Sequence, residues 1–561
     1  MSHLRRITAL VTQLALIAAL TFAPALAKVN GGRDKITAGE LKEWLSYIAS
    51  DEFEGRNTFS EGLGLAAGYL AGQLKALGVK PGGPNGSYFQ RVAVIGVKSD
   101  NKSTVTVEVN GQSRTFNNKE AISFPPNVGS KRSFTADQIE FAGYGLNLPD
   151  RNDYTGKDVK GKVVVYLGTA PPNGLDARQA FRAMFGRGRN ATEQQGALAA
   201  IGPELNLRMN FGQQEGNRQN SLPEPDFTTV QRLDLPQAPA VTAKDDFFDF
   251  LFSAADVKYA DLKNKASARE ALPSFALKNV RITFNLDADY QVVRTQYTRN
   301  VIGIIEGADA KLKDTYVAYG AHYDHVGYAE GEVVNGKRLA PRGRVTEGTV
   351  EDRIWNGADD DGSGTVAILA IAKAFAQGQK PKRSLLFVWH AGEEKGLYGS
   401  RYFADYPTVS MDKIVAQVNI DMIGRNRDNK SEEGNTVYPV GSDRISTEFH
   451  NLTVEANQAM STPLKLDYTL NDPTDTEQVY YRSDHYSYAA KGVPIIFLTT
   501  GLHPDYHANT DSAEKINYEK MAHIAQYAYE IGLRTANLDH APARDNRGPR
   551  VGRTVAGKLA M

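Results

Sequence analysis

The chain has 561 residues, with 65 lysine plus arginine balanced by 65 aspartate plus glutamate, so its formal net charge is zero. Its length excludes one small module, and its neutrality removes the electrostatic case for binding nucleic acid or anionic lipid. At 41% apolar and 23% charged, with no cysteine, it reads as a loop-rich globular protein that cannot use disulfides, thiolate metal ligands or a cysteine nucleophile.

Residues 1–27 carry Arg5 and Arg6, an apolar run from Ile7 to Phe22, and Pro24 before Ala25-Leu26-Ala27, the pattern of an export leader cleaved before Lys28. The run is interrupted by Thr8, Thr12 and Gln13, and no later segment approaches ~18 uninterrupted apolar residues, so the mature chain is expected to lack a membrane anchor. An exported chain free of cysteine suits a periplasm or the extracellular medium, and a bacterial source is expected.

Thr37 and Glu40 form a capping-box pattern ahead of Leu41, Trp44, Leu45 and Ile48, predicting a helix there, with a second over about 62–77 stopped by Gly78. From about residue 100 the texture changes to short β-like runs such as Thr104 to Val109 and Val163 to Leu167, separated by Gly, Asn and Pro turns. A stretch near 170–225, rich in Gly, Asn, Gln and Arg, reads as irregular. From Asn300 onward apolar strands and helices alternate, which implies a largely parallel sheet wrapped by helices. The expected fold class is therefore α/β, a mostly parallel mixed sheet flanked by helices with an inserted, mainly β domain. The expected division is 1–27 leader, 28–99 first part of the main domain, 100–285 insert, 286–535 second and larger part of the main domain and 536–561 flexible tail.

In open α/β sheets ligands sit beyond the carboxyl ends of strands. Four apolar runs end in metal-ligand residue types: TYVAYGA before His322, Asp324 and His325; SLLFVWHAG before Glu393 and Glu394; KIVAQVNI before Asp421; and VPIIFLTT before His503 and His507. Asp359, Asp360 and Asp361 lie in NGADDDGSG at the entrance to a predicted helix. Each residue alone has a bland reading as a helix cap or a solvated charge. Together they do not, because carboxylates gathered against other carboxylates repel unless cations neutralise them. Histidines with carboxylates and no sulfur suit zinc or a similar ion, and a bridging acid suits a pair of ions.

The motifs GAHYDHVG, NGADDDGSG, HAGEEKGLYGSRYF, NIDMIG, SDHYSY and HPDYHANTDS resemble the di-zinc exopeptidase family of secreted bacterial aminopeptidases, vacuolar aminopeptidase Y and glutamate carboxypeptidase. The segment FAGYGLNLPDRNDYTGKDVKGKVVVYLG resembles the protease-associated domain inserted in that family. The resemblance implies two zinc ions, with His322, Asp359, Glu394, Asp421 and His507 as ligands and Asp359 the bridge between them. It implies that Glu393 is the general base, that Asp324 holds His322 through its other ring nitrogen, that Asp511 does likewise for His507, and that Tyr506 stabilises the oxyanion. A non-proline cis peptide is expected where Asp360 follows the bridging residue. His485 is expected near the site, His325 and His503 have no assigned role, and His390 reads as a core histidine.

The expected activity is removal of amino-terminal residues from peptides. A glutamate-carboxypeptidase-like enzyme is the main alternative, needing a cationic clamp such as Arg353, Arg425 or Arg482. A cyclase-like transferase and a receptor-like binding protein without metal are the remaining alternatives. The connection between His322 and Asp359, containing GEVVNGKRLAPRGRVTEG, is long enough to form a lid, a specificity wall or a plain surface insertion.

Overall fold

The computed structural model describes residues 32–545, apart from 149–150, 176, 206–223, 231–232, 331–332, 335–336, 339–342, 347, 350, 473–474 and 476. The expected leader and the last part of the expected tail, 546–561, lie outside the described residues. Among the described residues no helix is long and apolar enough to cross a membrane.

Helix α1, Ala38–Ile48, begins where the Thr37 hydroxyl accepts the Glu40 amide, and it buries Leu41, Leu45 and Ile48 on one stripe. Helix α2, Glu61–Ala76, is capped by Ser60 and ends before Gly78, whose φ of +70° turns the chain away. Both pack onto a sheet built from β1 (Phe89–Asn101), β2 (Ala288–Ile305), β3 (Tyr316–His322), β4 (Ser384–His390), β5 (Ile414–Ile420), β6 (Thr436–Val440) and β7 (Ile495–Thr499).

These strands run in the order β1-β2-β4-β3-β5-β7-β6. The central four, β4, β3, β5 and β7, are mutually parallel, while β1, β2 and β6 are antiparallel to their neighbours. Every residue of β4 and β5 is buried, as expected for strands covered on both faces. Helices α3 (Gly364–Ala376) and α4 (Tyr518–Asn537) join α1 and α2 on one face. The short helices Tyr398–Asp405 and His485–Ala489 help cover the other, around Phe403, Tyr488 and Phe497.

The chain leaves this body along β1 and returns along β2, which pair antiparallel over their length with one bulge between Val292 and Arg294. Between them lies a second core, from Val105 to Ala288. It holds a four-stranded antiparallel sheet, in which Thr104–Val109 alternates buried and half-buried residues, and a six-stranded sheet whose strands 139–142, 163–165, 199–203 and 240–243 are parallel. The stretch expected to be irregular includes the helix Ala177–Arg189. Its anchor is polar, which hides it from an apolar-periodicity reading: the buried Arg187 guanidinium donates to the carbonyls of Tyr144, Leu167 and Gly168.

Candidate metal centre

Beyond the carboxyl ends of the parallel strands, β3 delivers His322, β4 Glu393 and Glu394, β5 Asp421, and β7 His503, Tyr506 and His507. The turn Asp359-Asp360-Asp361 enters α3 beside them, fully buried, with a cis peptide between Asp360 and Asp361. Strand ends and helix start thus converge because a parallel sheet puts every crossover turn on the same edge.

His322 Nε2 lies 3.3 Å from Asp360 Oδ1 and 3.6 Å from Asp421 Oδ2. His507 Nε2 lies 3.1 Å from Asp360 Oδ2 and 3.0 Å from Glu394 Oε2. His325 Nδ1 approaches Glu394 Oε1 at 3.0 Å and Asp360 Oδ2 at 3.7 Å. Two groups, His322–Asp360–Asp421 and His325–Asp360–Glu394, could each hold a metal ion, and they share Asp360.

The expectation that Asp359 is the shared carboxylate is therefore corrected by one position. Asp359 turns away, its Oδ2 3.2 Å from His503 Nε2 and its Oδ1 accepting the Gly424 amide. Asp361 is used up by backbone: it accepts the amides of His322, Gly364 and Met422. Only Asp360 is left facing the histidines. The cis bond accordingly falls after Asp360 rather than before it.

The donor set fits divalent cations. Among the described residues no hydrogen bond satisfies Asp360 Oδ2 or His507 Nε2, although both are buried and face each other. Burial works against charge on His322 and His507, yet Asp421 and Asp360 around the first and Glu394 and Asp360 around the second hold both imidazoles above their usual range. Protons there stand in for the positive charge that an ion would bring.

The supporting contacts differ from expectation in two places. His322 Nδ1 meets the backbone carbonyl of Asp324 at 3.0 Å, with the Asp324 carboxylate at 3.8 Å. That carboxylate instead accepts the Thr58 hydroxyl and the Glu393 amide. Asp511 is engaged by backbone, its two oxygens accepting the amides of Asp359 and Asp360, and among the described residues no hydrogen bond joins it to the His507 ring. Ser483 donates to Asp421 Oδ2 at 2.7 Å. Behind the site the buried Arg56 donates to the carbonyls of Ile48, Tyr323, Asn356 and Gly357, joining the first segment of the chain to both metal-facing turns.

Neither His485 nor His390 joins the cluster. His485 bonds the Tyr480 carbonyl and stacks on Phe497, while His390 bonds the Tyr488 hydroxyl. Burial lowers both imidazoles to about 3. The second half of the long connection backs the His507 turn: the Arg344 amide donates to the His507 carbonyl, and Asn509 bonds Thr346, Thr349 and Asp352.

His322, Asp360, Glu393 and Asp421 open onto one cleft with about 260 Å³ of accessible space, which Tyr506 and Arg482 also line. Burial pushes the Glu393 carboxyl well above its ordinary range. Tyr506 stacks on His507 with ring centroids 4.0 Å apart. Of the candidate clamp residues, Arg482 lines the cleft and bonds Glu477; Arg425 is bound to Asp505 and Arg353 to Glu330. The proximity of His325 to Glu394 and the roles of Thr58, Ser483 and Arg56 were missed from sequence.

An open, centrally parallel sheet with histidines and carboxylates gathered at its carboxyl edge defines an α/β protein with a candidate two-ion centre. Residues 300–531 match the model of Peptidase family M28. Similar proteins include a probable leucine aminopeptidase of Trichophyton verrucosum and another of Arthroderma benhamiae. Each is 30% identical over 249 residues, covering 42% of this chain and 58% of the relative. The chain thus spans less than two thirds of the length of these relatives. A solved aminopeptidase from Aneurinibacillus sp. strain AM-1 aligns over 92% of this chain and 97% of its own, with 18% identity and a TM-score of 0.42. The expected bacterial localisation is corrected by the sequence relatives, which are fungal. A leader-like start and an absence of cysteine do not distinguish the two kingdoms.

Proposed function

We propose that the chain is a zinc-dependent aminopeptidase holding two zinc ions, one on His322, Asp360 and Asp421 and one on Asp360, Glu394 and His507. The observation that carries this reading is the place of Asp360 between His322 on one side and His507 on the other, with Asp421 beside the first ring, Glu394 beside the second, and Glu393 in the cleft that His322, Asp360 and Asp421 line. Bound there, the ions supply Lewis acidity toward a peptide carbonyl and make water nucleophilic near neutral pH.

The chain's own residues do the rest. Glu393 takes a proton from the attacking water at its carboxylate and passes it to the departing amine nitrogen. Its raised pKa suits the second of these duties. Asp324 holds the Glu393 backbone in place, and the Tyr506 hydroxyl is available to donate to the oxygen on which negative charge develops. Met422, Leu470, Val479, Phe497 and Leu502 give one wall of the cleft an apolar surface suited to an apolar terminal side chain. The relatives' printed description as leucine aminopeptidases agrees with that preference.

A carboxypeptidase is the second reading, and Arg482 in the cleft is what favours it. Product analysis on a free-amine leucyl peptide and its N-acetylated twin, with zinc and after chelation, separates the two. Chelator-sensitive loss of the first residue from the free peptide alone supports the aminopeptidase. Equal cleavage of both peptides, or loss from the carboxyl end, transfers the assignment to the second reading.

A further inference from the structure

Away from the metal cleft, a small cavity with about 70 Å³ of accessible space lies between the second core and the main body. Arg189 and Glu193 line it from one side; Arg401 and Tyr486, on the helices Tyr398–Asp405 and His485–Ala489, line it from the other. Tyr486 is only 6% exposed, and among the described residues its hydroxyl has no hydrogen-bond partner. A buried hydroxyl left in this state costs about 1–3 kcal/mol unless something outside the chain satisfies it.

The cations of the cavity divide into two kinds. Arg189 is paired with Glu193 at 2.7 Å and Lys491 with Asp405 at 2.8 Å. Among the described residues no carboxylate lies within ion-pair distance of Arg401, which is half-buried. Burial and the facing Arg189 press its guanidinium below its usual range, and the more distant Glu193 carboxylate offsets this only in part. Among the described residues of the lining, Arg189, Arg401 and Lys491 face Glu193 and Asp405, an excess of one positive charge. The rest of the lining is apolar at Leu235, Ala404 and Ala490 and polar at Gln237 and Ser487.

We propose that this cavity binds a small apolar monocarboxylate, whose carboxylate is held by the Arg401 guanidinium and the Tyr486 hydroxyl and whose hydrocarbon part lies on the apolar wall. A carboxylate matches both donors, since guanidinium presents a planar fork and the phenol a single O–H. The hydrocarbon part distinguishes this ligand from an inorganic oxyanion. The site is separate from the metal cleft, yet its helix begins two residues after Ser483, the donor to Asp421.

The test is calorimetric titration of the zinc-loaded full chain with butyrate, and separately with inorganic phosphate. Butyrate is expected to bind one per chain, with at least ~10-fold loss in Arg401→Gln and in Tyr486→Phe and with full retention in Asp360→Asn. Arg401→Lys, which keeps the charge, is expected to retain part of the affinity and serves if the glutamine variant fails to fold. Undiminished butyrate binding in both Arg401→Gln and Tyr486→Phe, binding lost only in Asp360→Asn, or no binding at millimolar butyrate overturns the proposal. Preference for phosphate with the same dependence on the variants overturns the carboxylate assignment.

Discussion

The carboxylate of Asp324 lies beneath the backbone of Glu393, its Oδ1 accepting the Glu393 amide at 3.1 Å while its Oδ2 accepts the Thr58 hydroxyl at 2.8 Å. Asp324 is therefore a positioning residue for Glu393, the proposed general base, as well as a neighbour of His322. Thr58→Val is expected to lower kcat about 10-fold, and Asp324→Asn about 10–100-fold, the range typical of groups that orient a metal site. Steady-state kinetics beside zinc content by mass spectrometry check this. Loss of zinc in proportion to kcat in the Thr58 variant would place its effect on the metal instead.

Glu393 carries the proton in the proposed reaction. Glu393→Gln keeps the shape and the backbone bond to Asp324 but cannot accept a proton, so kcat is expected to fall at least ~10²–10⁴-fold with two zinc ions still bound. Unchanged turnover in this variant removes Glu393 from the mechanism.

Asp360 and Asp359 are adjacent and chemically identical, which makes them a sharp pair for testing. Asp360→Asn is expected to abolish binding of at least one zinc ion and nearly all activity. Asp359→Asn is expected to keep both ions, because its contacts are His503 and the Gly424 amide. Zinc stoichiometry on the two purified variants decides it, and the reverse pattern restores Asp359 as the bridge.

Stability should fall in acid through His485 and His390. Burial lowers both from 6.5 to about 3, so between those values the unfolded chain binds protons that the folded chain refuses. The stability they contribute is complete above pH 6.5 and is lost as pH falls toward 3, by on the order of 1.4 kcal/mol per pH unit for each ring. Urea unfolding at pH 7.5 and 4.5 measures this slope. His485→Phe, which can still stack on Phe497, should make it shallower; an identical slope excludes His485 as a contributor.

Arg56 donates to four carbonyls from full burial, and burial lowers its pKa to about 10 without discharging it near neutral pH. Arg56→Met removes this donor from all four carbonyls, of which Gly357 keeps the Gly362 amide, and a loss on the order of 3–5 kcal/mol in urea unfolding is expected. Arg56→Lys should recover little, since a single ammonium cannot span the fork. A loss under about 1 kcal/mol in the methionine variant counts against the role.

The alternating apolar runs after Asn300 made the parallel sheet legible, because a strand covered on both faces must be apolar throughout and its crossover helix must follow. The same logic located His322, Glu393, Glu394, Asp421 and His507, since strand ends are visible as the places where an apolar run stops. What the sequence by itself could not set was the choice within Asp359-Asp360-Asp361. Three identical residues carry no register of their own, and only the amides of Gly424, Met422 and His322 and the ring of His503, all distant along the chain, claim the outer two and leave Asp360 for the histidines. The pairing of Asp324 with Glu393, the clasp of Arg56 and the cavity at Arg401 belong to the tertiary structure for the same reason. Hydrophobic patterning records which face of an element is buried, whereas a hydrogen bond between distant segments leaves no periodic trace in either of them.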